Sequence, residues 1–331
     1  MNKVIKQYIS GLEFGELQTF KNMGVIPLLT PLDGSPEYLT LKEALDKRAI
    51  KIEEVSERGS VPELKVINDA GSGVLLLDGE ELAGAKQNRV LNTSILIRSK
   101  SEAVIPVSCT EQGRWSYESR QFRDSDTVMS TKIRRVKAQS VSDSLAESRE
   151  YRSDQGTVWS EIEQLSSDTG ARSETGAMRH VFEAKTEDLD AYLNAFTFVS
   201  GQKGLLVFLG EDVVGFDFLS RTSAYEILHP KLVKSYALDA LVAGGVEKDA
   251  SESRPDIEKA KSFMKAAQAC KEKKYESVGE GWDFRFEGKP LVGSALKVGD
   301  CVIHMAFFAA SESDKTGPIA GTSRRRRFRV R

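Results

Sequence analysis

The segment Asp78-Gly-Glu-Glu-Leu-Ala-Gly-Ala-Lys-Gln-Asn-Arg89 constrains this chain most, because it sets a dense polar group between two apolar runs. Val74 to Leu77 precede it and the run Val90 to Ile97 follows, which predicts a buried strand on each side. Glu80, Glu81, Lys86, Gln87, Asn88 and Arg89 supply donors and acceptors for a polar ligand, and Gly79 and Gly84 let the backbone approach it. The competing reading is a solvated hairpin loop. The spacing of Gly79 and Gly84 begins like a nucleotide-hydrolase phosphate loop, but Ala85 intervenes before Lys86, Gln87 follows, and the next residues favour strand over helix. That reading is rejected.

The 331 residues suffice for one large domain or two ordinary ones, and the net charge of -2 removes a strongly electrostatic nucleic-acid binder as the default reading while permitting a local basic patch. Cys109, Cys270 and Cys301 are widely spaced and odd in number, so no disulfide framework or zinc knuckle is expected. His180, His229 and His304 are scattered, which argues against a histidine metal site. The first twenty residues lack the uninterrupted apolar core of a signal peptide, and no run approaches a membrane span, so a cytoplasmic protein is expected.

Along the chain, strands are expected at Val25–Leu29, Ile50–Val55, Pro62–Ile67 and Val74–Leu77, the last two as partners, after an amphipathic opening. Ala103 to Cys109 reads as a strand in which Pro106 marks an edge or a start, and Cys109 as a buried thiol. It leads into a second polar cluster, Glu111-Gln-Gly-Arg114-Trp115-Ser-Tyr117, suited to stacking a planar ring and pairing an anion, or to an aromatic packed on the core under Arg114. Val128 to Arg152 reads as a helix whose Lys132, Arg134, Arg135 and Lys137 form a basic face, either for phosphate or simply solvated. A helix capped by Ser153 or Asp154, a helix over 186–200, a strand pair turned at Gly210 and a long helix ending at Gly244-Gly245 follow. Lys248 to Lys274 reads as charged loop plus helix, and Trp282 to Phe308 as a meander turned at Gly299-Asp300. The expected class is α+β: a β-rich N-terminal lobe with a helical extension (1–185), a lobe in which a second antiparallel β unit packs with the long helix (186–310), and an Arg-rich tail (311–331). The tail is read as a handle for nucleic acid or another acidic surface, or as a solubilising end.

Four motifs, Leu75–Arg89, Ile105–Trp115, Asp154–Trp159 and Lys234–Leu241, stand in the order found in a bacterial and archaeal domain family. The chain, from about Phe20 to Phe308, resembles the family named for its association with ADP-ribosylglycohydrolases and rhodanese-phosphatase proteins. Thr110 stands where a hydrophobic residue is more typical. The resemblance implies a ligand containing ADP-ribose or a related nucleotide. Lys86, Arg89 and Arg114 would pair with its diphosphate and Trp115 would stack on its base, with Gln87, Asn88, Asp154 and Gln155 lining the site. Glu80, Glu81 or Glu111 would bind ribose hydroxyls or act as general base. No cofactor is required by this scheme, although clustered carboxylates could hold Mg²⁺. The alternative is a non-catalytic interaction module in which the same polar motifs fix a corner of the fold through internal salt bridges.

Overall fold

Short turns set the strand pairs: Gly210-Glu211 joins Gly204–Leu209 to Asp212–Leu219, and Gly299-Asp300 joins Leu291–Val298 to Cys301–Ala309, both antiparallel. The computed structural model describes residues 1–56, 61–244 and 255–309; the Arg-rich tail, Gly245 and the first part of the charged Lys248–Lys274 segment lie outside the described residues. The two hairpins are the centre of a nine-stranded sheet. Its order is Glu13–Phe14, Met23–Leu29, Gly204–Leu209, Asp212–Leu219, Cys301–Ala309, Leu291–Val298, Trp282–Glu287, Lys271–Glu276, with Gln18–Phe20 beside Met23–Leu29. Strands from before residue 30 and after residue 203 thus share one sheet. Lys271–Glu276, which the charge pattern assigns to loop and helix, is its edge strand: only Tyr275 is buried and the lysines face water, as suits an unpaired edge.

A six-stranded antiparallel sheet holds the focal segment, in the order Phe122–Val128, Glu80–Gly84, Arg89–Leu91, Ser101–Cys109, Glu63–Asn68, Ile50–Glu54. An antiparallel bridge between Glu53 and Gln121 joins its two edges, so the sheet curls into a small barrel. Alternate residues, among them Ile52, Leu64, Leu82, Leu91, Val107 and Phe122, fill the interior. One barrel end is closed by the helix Leu41–Asp46 and by a three-stranded sheet in which Gly73–Leu76 pairs with Ile95–Ile97 and, in parallel, with Tyr38–Thr40. Gly73–Leu76 is therefore not the partner of Glu63–Asn68, which pairs with Ile50–Glu54 and Ser101–Cys109 instead. Pro106 is not on an edge strand either. It sits where its strand changes neighbours, residues 101–106 pairing on one side and 107–109 on the other, a place where a missing N–H breaks no ladder.

The apolar run Val90 to Ile97 is two strands, because Asn92, Thr93 and Ser94 are buried and reach away from the sheet. Thr93 donates to Asp283 and Ser94 bonds the His304 ring. Helices Thr131–Ser148, Gln155–Thr169, Met178–Ala184, Thr186–Ala195 and Thr222–Gly244 pack between barrel and large sheet, with Lys3–Ser10 and Ile257–Ala269 alongside the sheet. The helix expected over 186–200 stops at Ala195, and Asp154 caps Gln155–Thr169 by accepting the Thr157 N–H at 3.1 Å. Among the described residues no helix is long and apolar enough to cross a membrane. The fold is α+β, built mainly from antiparallel strands.

Candidate functional site

At the barrel end opposite the Leu41–Asp46 helix, the hairpin 85–88 and the loop 110–121 meet over the barrel interior. Gly84 carries φ of +122°, and a Cβ there would lie 2.5 Å from the Ser119 hydroxyl, so only glycine lets the two loops touch. Arg114 holds them together. Its Nε donates to Glu111 at 2.9 Å, Nη1 to the carbonyls of Ala85 and Ser116 at 2.7 and 3.0 Å, and Nη2 to the Asn88 side chain at 3.1 Å. Glu111 also accepts from Thr175 at 2.8 Å and from the Asn88 N–H at 3.3 Å. Although burial works against its charge, the bonds from Arg114 and Thr175 pull the Glu111 carboxyl below the ordinary range. Gln87 and Asn88 are buried; Gln87 accepts from Arg89 Nη1 at 3.2 Å and donates to the Gln112 carbonyl at 3.4 Å.

Outside this frame stand the aromatic rings. Trp115 is 49% exposed and Tyr117 51%, and the half-buried Lys86 ammonium lies 5.5 and 5.0 Å from their centroids. On its inner side the Trp115 ring covers the Arg89 guanidinium at 5.7 Å. The structure thus gathers Lys86, Gln87, Asn88, Arg89, Glu111, Arg114 and Trp115 at one end of the barrel. Gln155 joins them from the helix start, its amide accepting from the Cys109 N–H at 2.7 Å and donating to the Cys109 carbonyl at 2.9 Å. Asp154 beside it is exposed and serves as the helix cap. Cys109 is buried, and burial pushes its thiol up.

Glu80 and Glu81 are elsewhere. Glu80, 1% exposed, accepts from the Leu77 N–H and from Lys231, both at 2.9 Å, and Lys231 also reaches Asp124 at 2.5 Å. Burial disfavours the Lys231 ammonium, but the two carboxylates around it raise its pKa above the ordinary lysine range. Glu81 faces away from the barrel interior and is fully buried, accepting from the hydroxyls of Thr110 at 2.5 Å and Thr127 at 3.2 Å. Burial pushes it up to about 7, against the pull of those hydroxyls. Among the described residues no group of three or more His, Cys, Asp or Glu is arranged to hold a metal. A hollow of about 460 Å³ lies on the large sheet, lined by Leu17, Ile26, Phe208, Pro255, Asp256 and Ile257, and no motif residue lines it.

Several buried groups escape a reading of the motifs. Arg134 and Lys137, half of the expected basic face, are wholly buried rather than solvated. Arg134 makes two bonds to Asp217, at 3.0 and 2.6 Å, while Lys137 pairs with Asp78 and donates to the carbonyls of Leu91 and Asn92. Tyr236 and His304 also bond Asp217. Glu54, on the last barrel strand, has a 4% exposed side chain facing Arg89. The available signal is a charge in an otherwise apolar strand, as with Asp217 in Asp212–Leu219 and His304 in Cys301–Ala309. No curated protein and no solved structure matches the chain. A family model does match it, over residues 11–308, and the chain belongs to that family, ARPP-1, the ARG and Rhodanese-Phosphatase-superfamily-associated Protein domain.

Proposed function

We propose that this protein is a non-catalytic recognition module that binds a nucleotide or ADP-ribose-like ligand at the Arg89 end of the barrel. One observation carries the reading: Trp115 and Tyr117 stand half exposed around the Lys86 ammonium, on loops that Arg114 ties to backbone carbonyls. Rigid aromatic rings beside a cation suit a planar base and an attached phosphate, and prior ordering of the loops lowers the entropic cost of binding. Catalysis is not part of the reading, because Glu80 and Glu81 are shut away from solvent and Glu111 is engaged by Arg114 and Thr175. Lys86 takes the role of phosphate partner. Arg114 keeps its bonds within the loops.

Calorimetry with ADP-ribose, ADP, GDP and adenosine is the test, run on wild type, Trp115→Ala and Lys86→Ala. A diphosphate should bind more tightly than adenosine. Loss of the indole should weaken binding by roughly 1–3 kcal/mol, the usual worth of a base stacked on an aromatic ring. If no phosphate-bearing compound binds wild type, the nucleotide reading fails and the protein is an interaction module whose polar motifs are structural. ADP-ribose carries the further weight of the family name, which couples this domain to ARG proteins.

A further inference from the structure

We infer that the Arg89 end of the barrel reads a guanine ring, through Glu54 and Arg89 lying side by side beneath Trp115. The inference rests on the nucleotide reading above, names the base as guanine, and so sets ADP-ribose aside as the preferred ligand. In the ring of six strands, Arg89–Leu91 and Ile50–Glu54 stand opposite each other. Strand alternation puts Arg89 on the same side as Leu91, and Glu54 on the same side as Ile52 and Ile50, all facing the barrel core. The two charged groups therefore meet across the interior, over a floor of Ile52, Leu91 and Val107.

Their hydrogen bonding is incomplete in a patterned way. Arg89 Nη1 is anchored by the Gln87 carbonyl and side chain at 3.1 and 3.2 Å, which fixes the guanidinium. Among the described residues its Nε and Nη2 have no hydrogen-bond partner, and neither has either carboxylate oxygen of Glu54. Nη2 stands 3.7 Å from Glu54 Oε1, which is charge contact without a hydrogen bond. Arg89 is 0% and the Glu54 side chain 4% exposed, so bulk water does not satisfy these atoms. The barrel end thus presents two open donors next to two open acceptors.

A heterocycle that completes this set needs two acceptors followed along its edge by two donors. Guanine has that edge: N7 and O6 accept, then N1–H and the 2-amino group donate. Arg89 would take N7 and O6, and Glu54 would take N1–H and the 2-amino group. Adenine alternates acceptor, donor and acceptor, and would leave part of the set unpaired. Trp115 covers the fully buried Arg89 from outside and is itself half exposed, so entry of the ring requires the indole to swing outward, after which it can stack on the base. Lys86, next to the indole, is then near the phosphates.

The experiment measures Kd for GDP, IDP and ADP on wild type and on Glu54→Gln. GDP is expected to bind tightest. IDP, which lacks only the 2-amino group, should bind about tenfold more weakly, and ADP more weakly still. Glu54→Gln should lower GDP affinity about tenfold and bring GDP to the level of IDP, with Arg89 still favouring guanine over adenine. If that variant does not fold, the GDP to IDP ratio on wild type decides alone. Equal affinity for the three diphosphates overturns the guanine inference and leaves the nucleotide reading standing. Binding of none of them overturns both.

Discussion

Glu81 is a carboxyl held in the interior by hydroxyls, and its titration has a direct consequence for stability. Its folded pKa of about 7 lies above the ordinary value of 4.5, so the folded protein keeps a proton that the unfolded chain releases between those pH values. The stability it confers is complete below about pH 4.5 and is lost as pH rises through about 7. The amount lost is roughly 3–4 kcal/mol, since each pH unit between the two values is worth about 1.4 kcal/mol. Asp239, which burial pushes up to about 6, acts in the same direction. Glu81→Gln, neutral at every pH, should melt below or level with wild type at pH 5 and above it at pH 8. Parallel melting curves for the two proteins across that range would show that Glu81 is ionised throughout. Glu81 stands in the sequence as one of two adjacent acids in a polar run, and nothing local says that it faces threonines rather than a ligand.

At the scale of elements, the loop 110–121 has almost no secondary structure of its own and depends on Arg114. The Arg114 guanidinium satisfies Glu111 and the carbonyls of Ala85 and Ser116, groups that give up water as the barrel end closes. Arg114→Ala should cost roughly 1–3 kcal/mol, the usual penalty for orphaning buried polar groups, and should broaden and redshift the Trp115 emission. A variant that melts like wild type with unchanged fluorescence would show that the loop is held by other means. The Thr131–Ser148 helix shows what periodicity can and cannot say. Its apolar stripe of Ile133, Val141 and Leu145 is buried as spacing requires, yet Arg134 and Lys137 are buried beside it. A second stripe of charge pointing inward looks, in sequence, the same as a solvated face.

For the whole molecule, the buried ion pairs link two apolar cores. The helix Thr131–Ser148 places Lys137 on Asp78 from the barrel side and Arg134 on Asp217 of the large sheet, while Lys231 of the long helix reaches Glu80 and Asp124. Gly79 permits the passage, since a Cβ there would lie 3.0 Å from the Arg134 side chain. Charges paired in this way add little net stability over apolar packing, but docking in any other register would leave them unpaired. Arg134→Met should therefore destabilise the fold by roughly 3–5 kcal/mol, and adding Asp217→Leu should recover only part of that loss in thermal melts, because Tyr236 and His304 also bond Asp217. If the double variant is no better than the single, the pair is not an independent unit. What the sequence determined by itself is local: the hairpins at Gly210 and Gly299-Asp300, the helices Thr131–Ser148, Gln155–Thr169 and Thr222–Gly244, most of the apolar strands and the α+β class. Each of these depends on neighbours a few residues apart, where backbone geometry and side-chain period act directly. Only the tertiary structure decided that the six strands close at Glu53 and Gln121, that Arg89 meets Glu54, and that Arg134 meets Asp217. Those contacts join residues far apart in the chain, and like charges at other positions would satisfy every local rule equally well.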